Sequence, residues 1–321
     1  MNDSLRLETL RAADREALLA SRGYRDLVAL GSAAVAADGQ PPFNDQTLVA
    51  ARAGRCVFTL AYSGQALAGA AVVNDDTLEL VIDPALRGRG LGAALTSHML
   101  DEDSVFARRR RPHVSYLSRL LEPFQSDVPV AIPTLAWSHG DHPAAAALAK
   151  QHHFAAVRRL LQLRMPLDAS MPEPPQLTRV DAFVPGVDDE AWVALNARIF
   201  SGHPEQGQLS VDDLRARMAE PWFDAGDFLV ARGNDGELIG YNWLKIEPGE
   251  TVGEIYVIGV DAGHSARGIG RELMLRGLKR LVSRGCTVAA LYVDEGNTPA
   301  VPLYRSLGFT DFTVDVQYAR P

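Results

Sequence analysis

The sequence has 321 residues and a formal net charge of −8, with 40 acidic against 32 basic side chains. This length allows two domains with sizeable cores, and the acidic balance argues against nucleic acid or an anionic membrane surface as a partner. No apolar run reaches the roughly 18 residues that span a bilayer, and the first residues do not resemble a signal peptide, so we expect a cytoplasmic protein. The two cysteines, Cys56 and Cys286, lie in apolar runs, which excludes a disulfide framework and favours reduced core thiols.

Hydrophobic periodicity and turn residues predict several elements in the first half of the chain. They are a helix at 47–53, strands at 56–61 and 66–73, a strand at 77–82 and a helix at 91–99. The segment from Gly92 to Phe154 is longer than the later segment from Gly270 to Phe309. An insertion is therefore expected within residues 102–127.

Residues 165–175 contain four prolines and few apolar side chains. Proline removes a backbone donor and restricts the residue before it, so this segment is predicted to be an interdomain linker. It divides the chain into nearly equal halves, as a duplication would require. We expect an N-terminal domain at 1–165 and a C-terminal domain at 176–321.

The second half shows a clearer order of elements. Ser210 and Asp213 predict a helix N-cap with a capping box. The order of helices and strands predicts an α/β fold with a mixed sheet. The predicted helices lie at 191–200, 211–218, 270–284 and 298–307, and the strands at 228–231, 238–246, 254–260, 287–293 and 312–318.

One loop pattern occurs twice, after an acidic residue that ends an apolar strand. Gly90 lies seven residues after Asp83, and Gly268 lies seven residues after Asp261. In each copy the glycines open a helix, so backbone N–H groups and the helix dipole would favour a phosphate there. Two predicted phosphate sites indicate a duplicated domain.

The second loop is followed by a strand and by the segment 297–309, which reads N-x-x-A-x-x-x-Y-x-x-x-G-F. This combination with a [Q/R]-x-x-G-x-[G/A] loop resembles the GNAT N-acetyltransferase superfamily. A Rossmann site is a weaker interpretation because the third glycine is missing, and a P-loop is disfavoured because G-K-[S/T] is absent.

Within the superfamily, the stretches 202–207, 221–224, 240–245 and 253–257 resemble the mycothiol synthase family, whose members are tandem GNAT domains. The resemblance covers almost all of the second half and, more faintly, the first. It implies two tandem GNAT domains and transfer of acetyl from acetyl-CoA to the cysteine amine of cysteinyl-glucosaminyl-inositol, the last step of mycothiol biosynthesis. It implies no metal, and we expect a monomer with a small-molecule amino-sugar acceptor.

The resemblance also implies acetyl-CoA contacts in both halves. The usual Gln or Arg at the loop start is Ser265 in the second copy, so weaker CoA binding is expected there, whereas the first copy keeps Arg87. The implied contacts in the second half are Ile258, Gly259, Val260, Ser265, Ala266, Arg267, Gly268, Ile269, Gly270, Arg271, Asn297, Thr298, Pro299, Ala300, Val301 and Pro302. Those in the first half are Leu80, Val81, Ile82, Arg87, Gly88, Arg89, Gly90, Leu91, Gly92 and Ala93.

Two side chains carry the implied chemistry. Glu254 is assigned as general base, directly or through water, because a carboxyl with a pKa of about 4.3 is a poor direct base. In a regular strand it would share a face with Tyr256 and Ile258. Tyr304 would protonate the CoA thiolate, a transfer uphill by roughly 2 kcal/mol at reference pKa values. The alternatives are a solvated or salt-bridged Glu254 and a Tyr304 that packs on Phe309.

The resemblance places five side chains at the acceptor site: Asp45, Glu205, Lys245, Glu254 and Tyr292. Taken singly, Lys245 and Glu205 would be interpreted as exposed charges, and only the flanking matches favour a place in the site. In the first half, alignment on Asp83 places Asp76 at the position of Glu254. Alignment on Phe154 places Ala149 at the position of Tyr304. We therefore expect the first half to hold acetyl-CoA without turning it over.

Two other functions stay open. The chain could be a tandem GNAT protein that acetylates another small amine or a protein N-terminus, or a non-catalytic acyl-CoA-binding module. Retention of both Glu254 and Tyr304 favours an enzyme. The arginine run at 108–111 is expected to be a solvated loop. His139, His142, His152 and His153 are expected to be surface residues rather than metal ligands.

Overall fold

A computed structural model describes residues 5–10, 15–52, 56, 58–74, 76–101, 132–202, 206–265 and 267–321. These residues form two compact units. Unit 1 comprises residues up to Leu160 together with Thr313–Pro321, and unit 2 comprises Leu161–Phe312. The expected boundaries, 1–165 and 176–321, differ from these because the end of the chain pairs with a strand of unit 1.

Unit 1 begins with a strand and three helices and continues with a strand meander. Its elements are β1 (Arg6–Leu10), α1 (Arg15–Ala20), α2 (Arg22–Asp38), α3 (Asp45–Arg52), β2 (Phe58–Ser63), β3 (Ala66–Asn74), β4 (Thr77–Ile82), α4 (Leu91–Leu100), β5 (Leu135–Ser138), α5 (Pro143–Gln151) and the first residues of β6 (Ala155–Pro166). The predicted insertion at 102–127 and the arginine run at 108–111 lie outside the described residues.

Unit 2 follows the predicted order of elements after one additional strand. Its elements are the end of β6, β7 (Arg179–Ala182), α6 (Asp189–Ile199), α7 (Val211–Met218), β8 (Phe228–Arg232), β9 (Leu238–Ile246), β10 (Val252–Val260), α8 (Ile269–Ser283), β11 (Val288–Asp294), α9 (Ala300–Leu307) and the start of β12 (Thr310–Ala319). The predicted capping box is confirmed: Ser210 Oγ accepts from Asp213 N at 3.1 Å, and Asp213 Oδ2 accepts from Ser210 N at 3.0 Å.

The sheet of unit 1 has the strand order β1-β2-β3-β4-β5-β12. Neighbouring strands are antiparallel except β4 and β5, which run parallel. Val316–Ala319 of β12 pairs with Leu135–Ser138 of β5. The last strand, expected to complete the second half, therefore belongs to unit 1 through these residues, because its hydrogen-bond partners lie there.

The sheet of unit 2 has the order β6-β11-β10-β9-β8-β7, and β10 and β11 are its parallel pair. The two faces of β9 carry different cores, as the period of two along a strand requires. Tyr241 and Trp243 belong to the aromatic core with Trp192 of α6 and Phe228, whose ring stacks on Trp243 at 4.3 Å. Leu244 belongs to the aliphatic core with α8. The predicted α/β fold with mixed sheets is confirmed in both units.

A substitution at Gly277 tests how closely α8 packs on β9. Asn242 is fully buried, and its Nδ2 donates to Leu273 O at 2.9 Å. A Cβ atom at Gly277 would overlap the Asn242 amide, whereas one at Gly31 of α2 would contact nothing within 4 Å. We expect Gly277→Ala to lower the free energy of unfolding by about 1–3 kcal/mol. The matched control Gly31→Ala should raise it by about 0.5–1 kcal/mol. Urea unfolding followed by circular dichroism measures both changes, and equal stability of the two variants would contradict this packing.

Candidate active site

The two loops predicted to bind phosphate begin with the same Asp turn and end with the same left-handed glycine. In unit 2, Asp261 accepts from Gly263 N at 3.0 Å to start a 3-10 turn, and Gly268 (φ +83°) begins α8. Its backbone must be left-handed, which favours glycine. The exposed N–H groups of the first turn of α8 then point toward the place where an anion would bind.

Unit 1 repeats this arrangement. Asp83 accepts from Ala85 N at 2.9 Å, and Gly90 (φ +79°) begins α4. Arg87 and Ser265 start the two loops with nearly identical dihedral angles, φ −63° and ψ 162° against φ −65° and ψ 166°. The change to Ser265 therefore leaves the backbone conformation at the start of the loop unchanged.

The side chains at the starts of the two loops, Arg87 and Ser265, make different contacts. Arg87 donates two hydrogen bonds to Asp38, at 2.6 and 2.7 Å, and a third to Ile82 O at 3.1 Å. This guanidinium lowers the pKa of the Asp38 carboxyl. Ser265 Oγ donates only to a carbonyl of its own turn, that of Ala262, at 2.7 Å. Arg87 thus joins the first loop to the end of α2, whereas Ser265 contacts its own turn and Asp261 joins the second loop to α6 by accepting from Arg198 Nε at 3.1 Å.

Each loop follows a strand whose parallel neighbour stops pairing early. In the described residues, β10 and β11 are in register only from Val252 to Ile255, although β10 continues to Val260. Likewise β4 pairs with β5 only at Thr77 and Leu78, although β4 continues to Ile82. The rest of each strand is held from its other side, by β9 or β3. Its edge can therefore pair with an extended ligand arm, and the implied contacts at 258–260 and 80–82 lie on these edges.

In unit 1, the open edge of β4 lines a cavity of about 410 Å³. Its lining includes nearly all the implied acetyl-CoA contacts of the first half, Arg89 apart: Leu80, Val81, Ile82, Arg87, Gly88, Gly90, Leu91, Gly92 and Ala93. Ser138, His139 and Ala149 also line it. This volume lies within the roughly 300–1,000 Å³ of ordinary ligand sites.

In unit 2, Glu254 is half-buried on β10 and lies opposite Lys245 on β9 and Ala290 on β11. The register shifts between Ile255 and Val257. The expectation that Glu254, Tyr256 and Ile258 share one face of a regular strand is therefore wrong, since this bulge reverses the alternation after Ile255.

Lys245 is buried, with 8% of its side chain exposed, so the alternative of an exposed charge is wrong. Its Nζ lies 3.1 Å from Glu247 Oε1 and 5.7 Å from the centre of the Trp222 ring. Tyr292 accepts a hydrogen bond from Gln162 Nε2 at 2.6 Å. Gln162 lies on β6, far from any motif, so no sequence pattern indicates it as a site residue.

Tyr304 lies on α9 and is 7% exposed. Its ring packs edge-on against Phe309, 6.1 Å between centres. Burial raises the pKa of Tyr304 to about 12. Proton transfer to a thiolate with a reference pKa of about 8.5 is then uphill by about 5 kcal/mol. Tyr304 is thus a weaker acid than its reference pKa suggests.

The other implied site residues of unit 2 lie at helix starts. Asn297 Oδ1 accepts from Ala300 N at 3.2 Å at the start of α9, and Arg271 Nη1 donates to Ser306 Oγ at 3.0 Å, joining α8 to α9. Glu205 and Ala266 lie outside the described residues. Asp45, in unit 1, is the first residue of α3.

Unit 1 has neither of the two side chains implied for the chemistry. Phe154 N donates to Ala149 O as Phe309 N donates to Tyr304 O, so Ala149 occupies the tyrosine position. The last parallel pair, Leu78 with Ala136, corresponds to Ile255 with Leu291, which puts Thr77 at the position of Glu254. The alignment that placed Asp76 there is off by one residue, because the bulge of β10 has no counterpart in β4.

Asp76 instead holds the start of β5: its Oδ2 accepts from Thr134 Oγ1 at 2.7 Å. The expectation that His139 lies at the surface is also wrong, because its side chain is only 10% exposed between two carboxylates. Among the described residues, no cluster of three His, Cys, Asp or Glu side chains is placed to hold a metal ion. None of the described helices is long and apolar enough to cross a membrane.

A model of the acetyltransferase (GNAT) family matches residues 192–309. A mycothiol acetyltransferase of Thermobispora bispora is 43% identical over 92% of this chain and 95% of its own length. One of Thermomonospora curvata is 43% identical over 96% and 99%. The chain belongs to the mycothiol acetyltransferase family. The predictions of family and of an acyltransferase enzyme are confirmed.

Solved structures agree with this family's fold. A GCN5-related N-acetyltransferase from Sphaerobacter thermophilus gives a TM-score of 0.63 at 21% identity, covering 98% of this chain and 96% of that one. A tandem GNAT protein from the clavulanic acid biosynthesis pathway gives 0.64 at 17% identity, covering 98% of both chains. At these identities the likeness shows the fold alone, and it confirms two tandem GNAT domains.

The pKa of Tyr304 predicts how kcat of the protein depends on pH in the alkaline range. Because Tyr304 stays protonated up to about pH 12, it should add no alkaline limb to kcat below about pH 11. Since it is a weak acid, Tyr304→Phe should lower kcat by only about tenfold, against roughly 100–10,000-fold for an ordinary general acid. Steady-state kinetics from pH 6 to 10 measure both, with Tyr24→Phe as the control. A fall in kcat near pH 9 that disappears in Tyr304→Phe would contradict the raised pKa of Tyr304.

Proposed function

We propose that this chain transfers the acetyl group of acetyl-CoA to the cysteine amine of cysteinyl-glucosaminyl-inositol, the last step of mycothiol biosynthesis. The observation that carries this proposal is the identity of 43% to relatives named mycothiol acetyltransferase over 92% or more of both chains. Such full-length likeness covers both units and not only the GNAT motif. The acceptor is a small molecule, and we propose that the chain acts in the cytoplasm as a monomer.

The acceptor has an ammonium group and several hydroxyls, so it requires charged and hydrogen-bonding partners. We assign Lys245, Glu254 and Tyr292 in unit 2 to this role, together with Glu205. The position of Lys245 supports the assignment, since this lysine is buried and lies directly opposite Glu254 in the register of β9 and β10. Charged hydrogen bonds of this kind contribute on the order of 1.5–3 kcal/mol each.

The two loops and the two open strand edges fit acetyl-CoA. The extended pantetheine arm would pair with residues 258–260, and the pyrophosphate would accept hydrogen bonds from the loop that ends at Gly270. The same fit in unit 1 uses residues 80–82 and the loop from Arg87 to Gly92. Its glycine conformations and its cavity of about 410 Å³ support a bound acetyl-CoA there as well.

The chemistry requires a neutral amine. An α-amine has a reference pKa of about 7.7–8.0, so part of it is already neutral, and Glu254 removes the proton of the charged fraction, directly or through water. The neutral amine nitrogen then attacks the thioester carbonyl and the C–N bond forms. The extra proton on that nitrogen passes to Glu254 or to water, the C–S bond breaks, and the thiolate leaves. Tyr304 can donate a proton to that thiolate, although water can do so as well.

Glu254→Gln tests the mechanism and the acceptor together. With cysteinyl-glucosaminyl-inositol, the native chain should release CoA thiol, and Glu254→Gln should lower kcat by about 100-fold or more while the KM for acetyl-CoA changes little. Glu250→Gln, an exposed glutamate just before the same strand, is the matched control. Release only with other amines or peptides would overturn the acceptor assignment, and binding without release would favour an acyl-CoA-binding module.

Unit 1 should bind acetyl-CoA without using it. Ala93 lines the cavity of unit 1, whereas Ala94 is exposed and does not. Isothermal titration should give two acetyl-CoA per chain in the native protein, one in Ala93→Glu and two in the control Ala94→Glu, because only the first substitution places a carboxylate among the bound phosphates. Turnover should persist in both variants. Loss of turnover together with the first site would contradict a non-catalytic unit 1.

A further inference from the structure

The cavity of unit 1 extends beyond the loop and the open strand edge. β4 runs from Thr77 to Ile82 and leads directly into the loop. A CoA molecule with its pyrophosphate at the loop and its arm on the open edge therefore extends back along β4, toward Leu78. Leu78 and Ala136, the last parallel pair of β4 and β5, both line the cavity. The acyl end of such a ligand would lie in this part of the cavity, which we call the far end.

The far end is lined chiefly by apolar side chains. Besides Leu78 and Ala136, it includes Ala149 of α5, Phe154 and Tyr318 of β12. All of these except Ala136 are buried. Ligand sites with such a lining bind apolar groups. The far end is therefore suited to a hydrocarbon chain.

Unit 2 has larger side chains at two corresponding positions. Ala149 corresponds to Tyr304, as described above. Ala136 corresponds to Leu291, because each is paired with the preceding strand at the last position of the parallel register. Alanines in place of a leucine and a tyrosine leave space for several carbon atoms. Unit 1 thus has room at the acyl end for a group larger than acetyl.

A buried hydroxyl in the cavity lining indicates a bound carbonyl group. Thr96 is the residue of α4 that lines the cavity farthest from the loop. It is 4% exposed, and its Oγ1 has no hydrogen-bond partner in the part of the chain that the structure describes. Because buried hydroxyls are nearly always hydrogen-bonded, a ligand atom is expected to complete this one. A thioester carbonyl oxygen is a suitable acceptor, and an acyl-CoA has one whereas free CoA does not.

A buried ion cluster, formed by His139, Glu79 and Asp315, borders the same cavity. His139 Nε2 lies 3.1 Å from Glu79 Oε1, and its Nδ1 lies 2.8 Å from Asp315 Oδ2. Burial lowers the pKa of His139, but the hydrogen bonds to the two carboxylates and their charges outweigh burial and raise it to about 10. The protonated ring therefore donates from both nitrogens within the cluster. Neither nitrogen is left for a carboxylate of a ligand.

This use of His139 bears on the charge of the acyl group. His139 is the one cation among the described residues that line the far end. Burying a ligand carboxylate there without a partner would be strongly unfavourable. The far end therefore favours an uncharged acyl group.

We propose that unit 1 is selective for an acyl-CoA whose acyl group is uncharged and longer than acetyl, such as butyryl-CoA. This inference rests on the proposed function, in which the loop and the open strand edge of unit 1 bind CoA. Acetyl-CoA binds there too, but it leaves part of the far end unfilled. The two alanines provide the space for the longer chain, and Thr96 provides a donor for the thioester carbonyl.

Isothermal titration of one site at a time tests this selectivity. Arg271 of α8 corresponds to Ala93 of α4, so Arg271→Glu places a carboxylate at the phosphate site of unit 2 and leaves unit 1 to be measured alone. In this variant butyryl-CoA should bind about tenfold more tightly than acetyl-CoA, since each buried methylene changes Kd by about fourfold. Succinyl-CoA has as many acyl carbons as butyryl-CoA but ends in a carboxylate, and it should bind no more tightly than acetyl-CoA.

Filling the far end should remove the preference. With Ala149→Leu added, the ratio of the two Kd values should fall to about one, while the Kd for acetyl-CoA stays within about threefold. Ala146→Leu is the matched control, because Ala146 lies on the same helix, is exposed and does not line the cavity. Should Ala149→Leu fail to fold, Ala149→Val takes its place. Ala93→Glu, which leaves the site of unit 2 alone, should show no preference for butyryl-CoA.

The outcomes separate this inference from the proposed function. Equal Kd values for acetyl-CoA and butyryl-CoA in unit 1 would overturn the selectivity and leave its acetyl-CoA site intact. Succinyl-CoA that binds as tightly as butyryl-CoA, or a preference that persists in Ala149→Leu, would overturn it as well. If the Arg271→Glu variant binds none of the three ligands, the proposed acetyl-CoA site of unit 1 is itself wrong.

Discussion

Both candidate sites depend on the point at which two parallel strands stop pairing. The β10–β11 register ends at Ile255 and the β4–β5 register ends at Leu78, while β10 and β4 continue on their antiparallel neighbours alone. One edge of each continuing strand is then open to an extended ligand. The same strand runs directly into the Asp turn and the left-handed glycine that begins the next helix. A single segment thus sets both the open strand edge and the backbone amides at the start of the next helix, which fixes the spacing between them.

Given this shared scaffold, the difference between the units comes from a few local changes. The bulge in β10 inserts one residue after Ile255, and Glu254 precedes it, whereas β4 is regular and has Thr77 at that position. Where unit 2 has the large ring of Tyr304, unit 1 has the small side chain of Ala149, which lines its cavity. The two units therefore share the backbone features of the proposed acetyl-CoA sites and differ in the two side chains to which we assign the reaction.

Features set by neighbouring residues were predictable from the sequence, and those set by distant partners were not. The strands at 77–82 and 238–246 and the helix at 211–218 have the predicted bounds, since alternation and capping are local. The glycine loops were found for the same reason. The burial of His139 was missed because its partners lie 60 and 176 residues away. The bulge at Tyr256 also escaped prediction, since it is visible only in the register with β9.

The pairing of the last strand limits how independent the two units can be. Val316–Ala319 completes the sheet of unit 1 beside β5, and Asp315 supplies one of the two carboxylates that hold His139. Unit 1 therefore cannot acquire its full sheet or its ion cluster until the whole of unit 2 has been synthesised. Contacts of such long sequence separation form late, because the entropy of loop closure opposes them. Asn44, just before α3, donates to Glu79, whose carboxylate faces His139, and so the start of this helix is linked through Asp315 to the last strand of the chain.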